Sequence, residues 1–182
     1  MLLCGNGVYD GTETTEAVSL LVALGKHKAE VQCFAPDRNQ AHVVNHANGE
    51  EQGEERNVLV ESARIARGNV KSLVDLKSGD FDALFVPGGF GAAKNLSDFG
   101  FKGGDMEVQQ DVSDCLKDFH ANQKYIAMCC ISPVIAAKVF GKNSGGPGAK
   151  LTLGGRGADW PYNGSIDAAL SFGNELVETN LS

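Results

Sequence analysis

The stretch that decides the fold is Tyr125-Ile126-Ala127-Met128-Cys129-Cys130-Ile131-Ser132-Pro133-Val134-Ile135-Ala136-Ala137-Lys138. Its first half is an apolar run typical of a buried strand, and its second half carries two helix-start signals. Ser132 fits the N-cap position, and Pro133 fits the first helical position. A strand that leads directly into a helix indicates an α/β fold, and it places Cys130 in the turn between them.

The same alternation extends through the rest of the chain. Short apolar runs predict buried parallel strands at 31–35, 83–86, 125–129 and 150–153. Apolar residues at helical spacing predict helices at 13–24, 57–67, 107–120 and 133–140. We therefore expect a doubly wound, mostly parallel sheet with helices on both faces, a flavodoxin-like three-layer sandwich.

Length and composition fit one globular domain. The chain has 182 residues, of which 42% are hydrophobic and 21% charged, and single domains commonly have about 100 to 150 residues. We expect residues 1–182 to form a single domain. The run Met1-Leu2-Leu3-Cys4 is short for an opening strand, and the chain stops soon after 175–178. The sequence therefore predicts that part of the first strand and the C-terminal strand and helix are missing.

Charge, cysteine content and hydropathy exclude several classes of function. A net charge of -7 opposes binding to a nucleic-acid backbone. The five cysteines lack C-x-x-C spacing, so neither a disulfide framework nor a zinc site is expected. No run approaches the ~18 apolar residues of a membrane-spanning helix, and no targeting segment precedes the first strand.

Cys130 has the environment of a nucleophile. At a strand-to-helix turn, its sulfur lies near free backbone N–H groups, such as that of Ile131, and near the positive end of a helix dipole. Both features favour the thiolate, and the carboxyl ends of parallel strands are where ligands bind. A buried cysteine is more often a small apolar filler, the interpretation that we give to Cys129. For Cys130, the strand, turn and cap signals together favour function.

Two further segments complete a candidate site. Gly88 and Gly89 follow the strand at 83–86, where glycine lets a backbone N–H approach a substrate oxygen. An ordinary tight turn is the alternative. Glu13 and Glu16 lie at the start of the first helix, and one of them is expected to reach the same crevice as a proton shuttle for the thiol. The alternative is a solvated acid that favours the helix dipole.

Other polar residues give weaker predictions. Lys94 or Asn95, after the glycine turn, is placed to bind a substrate carboxylate, although a solvated lysine is equally consistent. His42 and His46 are four residues apart, a spacing that would share a helix face and raises a metal-site hypothesis. Without a matching carboxylate or thiolate, two surface histidines are the favoured interpretation, and no metal site is predicted.

At these residues the sequence resembles the ElbB-type branch of the class I glutamine amidotransferase-like superfamily. The resemblance rests on Cys-Ile-Ser-Pro after an apolar strand, on Val-Pro-Gly-Gly-Phe-Gly-Ala-Ala-Lys-Asn-Leu-Ser and on Gly-Val-Tyr-Asp-Gly-Thr-Glu. It also includes Cys-Phe-Ala-Pro-Asp and Arg-Asn-Val-Leu-Val-Glu-Ser-Ala-Arg-Ile-Ala-Arg-Gly, and it extends from about Gly5 to about Gly164. Cys129-Cys130 and Trp160-Pro161-Tyr162 resemble the eukaryotic, typically mitochondrial, members, and relatives include the Parkinson-associated deglycase and PfpI families.

The resemblance implies roles for particular residues. Cys130 matches the family nucleophile, Glu16 the acid that contacts it and Gly89 the backbone oxyanion position. With Gly88, Ile131 and Asn95 as oxyanion or substrate-binding residues, the expected function is a cofactor-independent glyoxalase or deglycase-like enzyme acting on small reactive carbonyls. The resemblance also implies a homo-oligomer and a mitochondrial location, or a cytoplasmic one if the chain is closer to the bacterial members.

Departures from the family pattern keep alternatives open. A working glutaminase of this superfamily uses Cys, His and Glu, yet none of the four histidines follows Cys130. Gly154-Gly155-Arg156 stands where eukaryotic relatives show Gly-His, and Thr15 stands where members commonly carry His. Glutamine hydrolysis is therefore less expected. The other alternative is a non-catalytic domain acting as a redox sensor or a stress-protective oligomer.

Overall fold

Parallel strands form the centre of the molecule. We analysed a computed structural model that describes residues 1–157 and 160–179. The strands are β1 (Cys33–Ala35), β2 (Val70–Ser72), β3 (Ala83–Val86), β4 (Tyr125–Met128), β5 (Lys150–Leu151) and β6 (Glu175–Leu176). Three parallel pairs are formed, β1 with β2, β3 with β4 and β5 with β6.

The N-terminal segment 1–4 joins the first two pairs. The Leu3 N–H donates to the Phe34 carbonyl at 2.8 Å, and the Leu2 N–H donates to the Phe85 carbonyl at 2.8 Å. The segment therefore lies between β1 and β3, with β2 and β4 further out. Strands β1 and β2 lie on one side of this segment, and the later strands β3 and β4 lie on the other side. The direction in which successive strands are added to the sheet therefore changes at the segment. Such a switch point is where ligands bind in open α/β sheets.

Helices enclose the sheet. They are α1 (Thr14–Lys26), α2 (Val58–Ala66), α3 (Phe90–Lys94), α4 (Phe99–Lys102), α5 (Gln110–Ala121), α6 (Pro133–Phe140) and α7 (Asn163–Ser171). None of the helices within the described ranges is long and apolar enough to cross a membrane.

The sheet buries both of its faces, because successive side chains of a strand point to opposite sides. Met1 and Leu3 belong to a core with residues of α1 and α2. Leu2 and Cys4 belong to the other core, with residues of α5, α6 and α7. Helices thus cover the two faces, and the expected doubly wound three-layer fold is confirmed.

The predicted elements match the observed ones in type, and they differ at some boundaries. The strand at 83–86 and the helix at 133–140 have the predicted bounds. The strand predicted at 150–153 is shorter, at Lys150–Leu151. The Gly-rich stretch 141–157 contains this strand and a 3₁₀ turn at Lys142–Ser144.

Candidate active site

Cys130 adopts the left-handed backbone conformation, with φ of 58°. This conformation is uncommon for a residue with a side chain, and it persists only where the surroundings enforce it. A strained turn between a strand and a helix projects a nucleophile out of the sheet. The residue is exposed, whereas Cys4, Cys33 and Cys115 are buried. The turn therefore places Cys130 at the protein surface, with its sulfur partly buried.

The Ser132 side chain anchors this turn to the neighbouring strand β3. Its hydroxyl is fully buried and lies 2.8 Å from both the Val86 carbonyl of β3 and the Cys129 carbonyl. The Cys129 N–H donates to the same hydroxyl at 3.2 Å. Ser132 occupies the predicted N-cap position, but its side chain does not cap the helix. Because the Ser132 hydroxyl contacts carbonyls of both β3 and the turn, it connects the end of β4 to β3.

Glu16 reaches the site from the first helix. Its Oε2 accepts the Gly88 N–H at 2.8 Å, which joins α1 to the turn after β3. Glu13, the alternative acid, accepts the Glu16 N–H at 2.6 Å and caps its own helix. The sequence left open which acid serves the site, and the structure brings Glu16 to it.

The Glu16 carboxylate and the Cys130 sulfur meet over Gly88. A Cβ atom added to Gly88 would lie 2.7 Å from the Cys130 Sγ, 2.4 Å from its Cβ and 3.0 Å from the Glu16 Oε2. Only a residue without a side chain fits between the thiol and the acid. The predicted place of Gly88 in the site thus has a geometric reason, in addition to its N–H bond with Glu16.

Two backbone N–H groups near the Cys130 sulfur are available to stabilise a negative charge. Gly89 has φ of 94°, and its turn packs closely against Gly11 and Glu13. Across residues 1–157 and 160–179, no hydrogen bond occupies the N–H of Gly89 or of Ile131. Both groups favour a negative charge on the Cys130 sulfur. They are therefore suited to a developing oxyanion.

The pKa of Cys130 lies above its ordinary value, whereas the sequence predicted a stabilised thiolate. Burial of the sulfur raises its pKa above the ordinary value, and the charge and hydrogen bonding of Glu16 raise it further. The N–H groups of Gly89 and Ile131 lower the pKa, but by less. The expectation of a stabilised thiolate is corrected accordingly, because burial, aided by the Glu16 carboxylate, outweighs the backbone N–H groups. The resting sulfur is a thiol beside a base.

Cys129, which sequence reasoning treated as a filler, belongs to the site. It is only half-buried, and its Sγ donates to the Glu16 Oε2 at 3.5 Å. Burial and the charge of Glu16 raise its pKa to about 11. Its position next to Cys130 in the sequence was the available signal, but a cysteine in a buried strand is more often a small apolar filler.

Asn95 lies elsewhere than predicted. It is buried, with 3% of its surface exposed. Its Nδ2 donates to the Cys4 and Asp10 carbonyls, and its Oδ1 accepts the Ala41 N–H, each at 2.9 Å. Because its amide oxygen and nitrogen both form hydrogen bonds with backbone groups, Asn95 stabilises the loop before α1 and is not available to bind a substrate. Lys94 donates to the Tyr9 carbonyl at 3.1 Å.

The histidines do not join the site. His42 and His46 lie outside any helix, so the premise of a shared helix face is wrong. His46 accepts the Tyr9 N–H at 3.1 Å, while His42 lies 3.8 Å from Glu51. Within the described ranges, no group of three potential ligands could hold a metal ion. A cleft of about 460 Å³ lies beside His46 and Arg56 in the 44–56 segment.

Solved structures define the class of protein. The chain superimposes with a TM-score of 0.84 and 34% identity on an isoprenoid biosynthesis protein with an amidotransferase-like domain from Ehrlichia chaffeensis, covering 98% of this chain and 77% of that one. A two-domain protein from Anabaena variabilis with a DJ-1/ThiJ/PfpI-like domain shares the fold at a TM-score of 0.55 and 14% identity, covering 94% and 38%. The fold is that of the amidotransferase-like class.

Curated relatives define the family. The chain is 47% identical over 190 residues to human glutamine amidotransferase-like class 1 domain-containing protein 3, mitochondrial, covering all of this chain and 69% of that protein. It is 48% identical to the rat mitochondrial ES1 protein homolog over 95% of this chain and 64% of that one, and 33% identical to zebrafish mitochondrial ES1 over 95% and 66%. The chain belongs to this family of amidotransferase-like ES1 proteins. No family model matches.

These relatives bear on two of the sequence predictions. The resemblance to the ElbB-type and eukaryotic mitochondrial members is confirmed. The mitochondrial location is also confirmed at the level of the family, since all three curated relatives are named as mitochondrial proteins. The chain spans about two thirds of their length, with 69%, 64% and 66% covered.

Proposed function

We propose that this protein is a cofactor-independent, glyoxalase or deglycase-like enzyme that acts on small reactive carbonyls through Cys130. The observation that carries the proposal is the exposed Cys130 in its strained turn, with the Glu16 carboxylate across Gly88. Aldehydes of 2-oxoaldehydes are strong electrophiles, and a thiol beside a base adds to them without a cofactor. The exposed position of the turn suits such small substrates.

Addition of the thiol is the first step. Glu16 takes the proton of Cys130 as the sulfur attacks the aldehyde carbon, and the carbonyl electron pair moves onto oxygen. The N–H groups of Gly89 and Ile131 stabilise this oxyanion, which then takes up a proton to give a hemithioacetal. A raised pKa of Cys130 fits this order of events, because the proton leaves during attack and a standing thiolate is unnecessary.

Rearrangement and hydrolysis complete the cycle. A base removes the hydrogen of the former aldehyde carbon, and a proton is returned to the neighbouring ketone carbon, which yields a hydroxyacyl thioester. Water then cleaves the thioester, releasing a 2-hydroxy acid and regenerating the thiol. The aldehyde carbon is oxidised and the ketone carbon reduced, so one water is consumed and no external oxidant is required.

Turnover of methylglyoxal by the purified protein tests this proposal. We expect the wild type to form lactate, Cys130→Ser to form none and Glu16→Gln to be slowed by about 10² to 10⁴-fold, the usual contribution of a general base. Glu30→Gln, which changes an exposed acid away from the site, is the matched control and is expected to retain activity. Equal inactivity of the wild type and both site variants would exclude the carbonyl chemistry.

One observation favours a second candidate, a redox sensor. Cys130 is an exposed thiol, and the free N–H groups that suit an oxyanion also suit the oxygen of an oxidised sulfur. If the wild type is inert toward carbonyls while hydroperoxide converts Cys130 to a sulfinate, this candidate replaces the enzyme. Glutamine hydrolysis has less support, because none of the four histidines bonds to Cys130.

A further inference from the structure

The Glu16 carboxylate is held by two donors from different parts of the sheet. Its Oε2 accepts the Gly88 N–H at 2.8 Å and the Cys129 S–H at 3.5 Å. We propose that Cys129 is a positioning residue, whose thiol fixes the Glu16 carboxylate beside the Cys130 sulfur. The inference rests on the pairing of Glu16 with Cys130 in the proposed function, and it assigns a role to the first cysteine of the pair.

The strained turn at Cys130 brings the sulfurs of both Cys129 and Cys130 close to the Glu16 carboxylate. In a regular strand, neighbouring side chains point to opposite faces of the sheet. The positive φ of 58° at Cys130 reverses the chain directly after Cys129. As a result, the Cys129 sulfur lies 3.5 Å from the Glu16 Oε2, and a Cβ atom added to Gly88 would lie 2.7 Å from the Cys130 Sγ and 3.0 Å from the same oxygen.

Cys129 is suited to donate a hydrogen bond and poorly suited to act as a nucleophile. Burial and the Glu16 charge raise its pKa to about 11, so it keeps its proton at neutral pH. A protonated thiol offers one hydrogen, and the Glu16 carboxylate is the acceptor that this hydrogen reaches. Cys130, in the strained turn, is the more exposed of the two residues.

Glu16 needs such support because of its length. A glutamate side chain has several rotatable bonds, and fixing them costs conformational entropy. The Gly88 N–H holds the carboxylate from β3, and Cys129 holds it from β4. With only one donor left, the carboxylate would sample positions further from Cys130.

The pH dependence of Cys130 alkylation by iodoacetamide tests this inference without any substrate. Glu16 raises the pKa of Cys130, so Glu16→Gln is expected to lower the alkylation midpoint. If Cys129 positions Glu16, Cys129→Ala lowers the midpoint in the same direction, by about half a pH unit, a threefold change in thiolate fraction. Cys129→Ser retains a donor and is expected to restore the wild-type midpoint. Fragment-resolved mass spectrometry separates the two cysteines.

A double-mutant comparison makes the result specific. In the Glu16→Gln background, Cys129→Ala is expected to have no further effect, because the group that it positions has lost its charge. Cys33→Ala, which removes a buried thiol elsewhere, serves as the control. An unchanged midpoint in Cys129→Ala, or additive effects of the two changes, would overturn the inference.

The direction in which Cys129→Ala moves the midpoint of Cys130 alkylation shows whether Cys129 positions the Glu16 carboxylate or competes for it. A midpoint that rises in Cys129→Ala would mean that Cys129 merely competes with Cys130 for the carboxylate, which also overturns the inference. Failure of the proposed function has a different signature. If the wild type does not turn over methylglyoxal while the alkylation series behaves as expected, the carbonyl chemistry fails and the positioning role of Cys129 stands.

Discussion

Gly88 is the residue whose lack of a side chain matters most to the site. Its missing Cβ would fall 2.4 Å from the Cys130 Cβ and 2.7 Å from its Sγ. Contacts this short cannot be accommodated without moving either the thiol or the Glu16 carboxylate, which lies 3.0 Å away. Gly88 therefore sets the separation between nucleophile and base, in addition to donating its N–H to Glu16.

Replacing Gly88 by alanine is expected to separate the thiol from the acid while the fold persists. We expect Gly88→Ala to reduce Cys130-dependent turnover of methylglyoxal by about 10²-fold or more, since small displacements of reacting groups have effects of that size. Gly79→Ala is the matched control, because an added Cβ there meets no atom within 4 Å. Wild-type turnover in Gly88→Ala would show that the close approach is not required.

At the scale of the element, β4, the cysteine turn and α6 act as one unit that Ser132 joins to β3. Its buried hydroxyl contacts the Val86 and Cys129 carbonyls at 2.8 Å and accepts the Cys129 N–H at 3.2 Å. The φ of 58° at Cys130 is a strained conformation that this anchoring helps to maintain. The reactive geometry thus depends on a residue that faces away from the substrate.

Ser132→Ala is expected to relax this unit. Loss of the hydroxyl removes a buried hydrogen bond between β3 and the turn, which is expected to lower the free energy of unfolding in chemical denaturation by about 0.5 to 1.5 kcal/mol. The rate of Cys130 alkylation is expected to change as well, because the turn loses its anchor. Ser97→Ala is the control, since Ser97 is equally buried and donates to the Ala92 carbonyl at 3.0 Å. It should lose stability without altering Cys130 alkylation, and identical alkylation in both variants would contradict the role of Ser132.

The elements show what the sequence could predict and what it could not. The bounds of α6 and the turn at Cys130 depend on local signals, an apolar run followed by Ser132 and Pro133, and they were predicted. Asn95 and Cys129 were misassigned because their roles depend on contacts far along the chain, with Ala41 and with Glu16. Composition and spacing cannot report such contacts. Glu16 was found through the family resemblance, and only folding distinguishes it from Glu13.

At the scale of the whole molecule, the core on one side of the sheet contains two thiols that resist ionisation. Burial raises the pKa of Cys4 and of Cys115 from the ordinary value to about 12. Both residues lie in the core that includes α5 and α6. These cysteines pack as small apolar side chains, whereas the two cysteines at the end of β4 are less buried. The same burial makes the stability of the fold sensitive to alkaline pH.

Alkaline pH is expected to destabilise the protein through these buried thiols. A pKa that is raised on folding means that the folded state holds its proton more tightly, so this stabilisation is complete below the unfolded pKa near 9 and is lost as pH rises toward about 12. Each such thiol contributes a slope of about 1.4 kcal/mol per pH unit across that window. Urea unfolding between pH 8 and pH 11 measures the slope, and Cys115→Ala is expected to reduce it whatever its stability at pH 8. An unchanged slope in Cys115→Ala would mean that Cys115 ionises equally in the folded and unfolded chains.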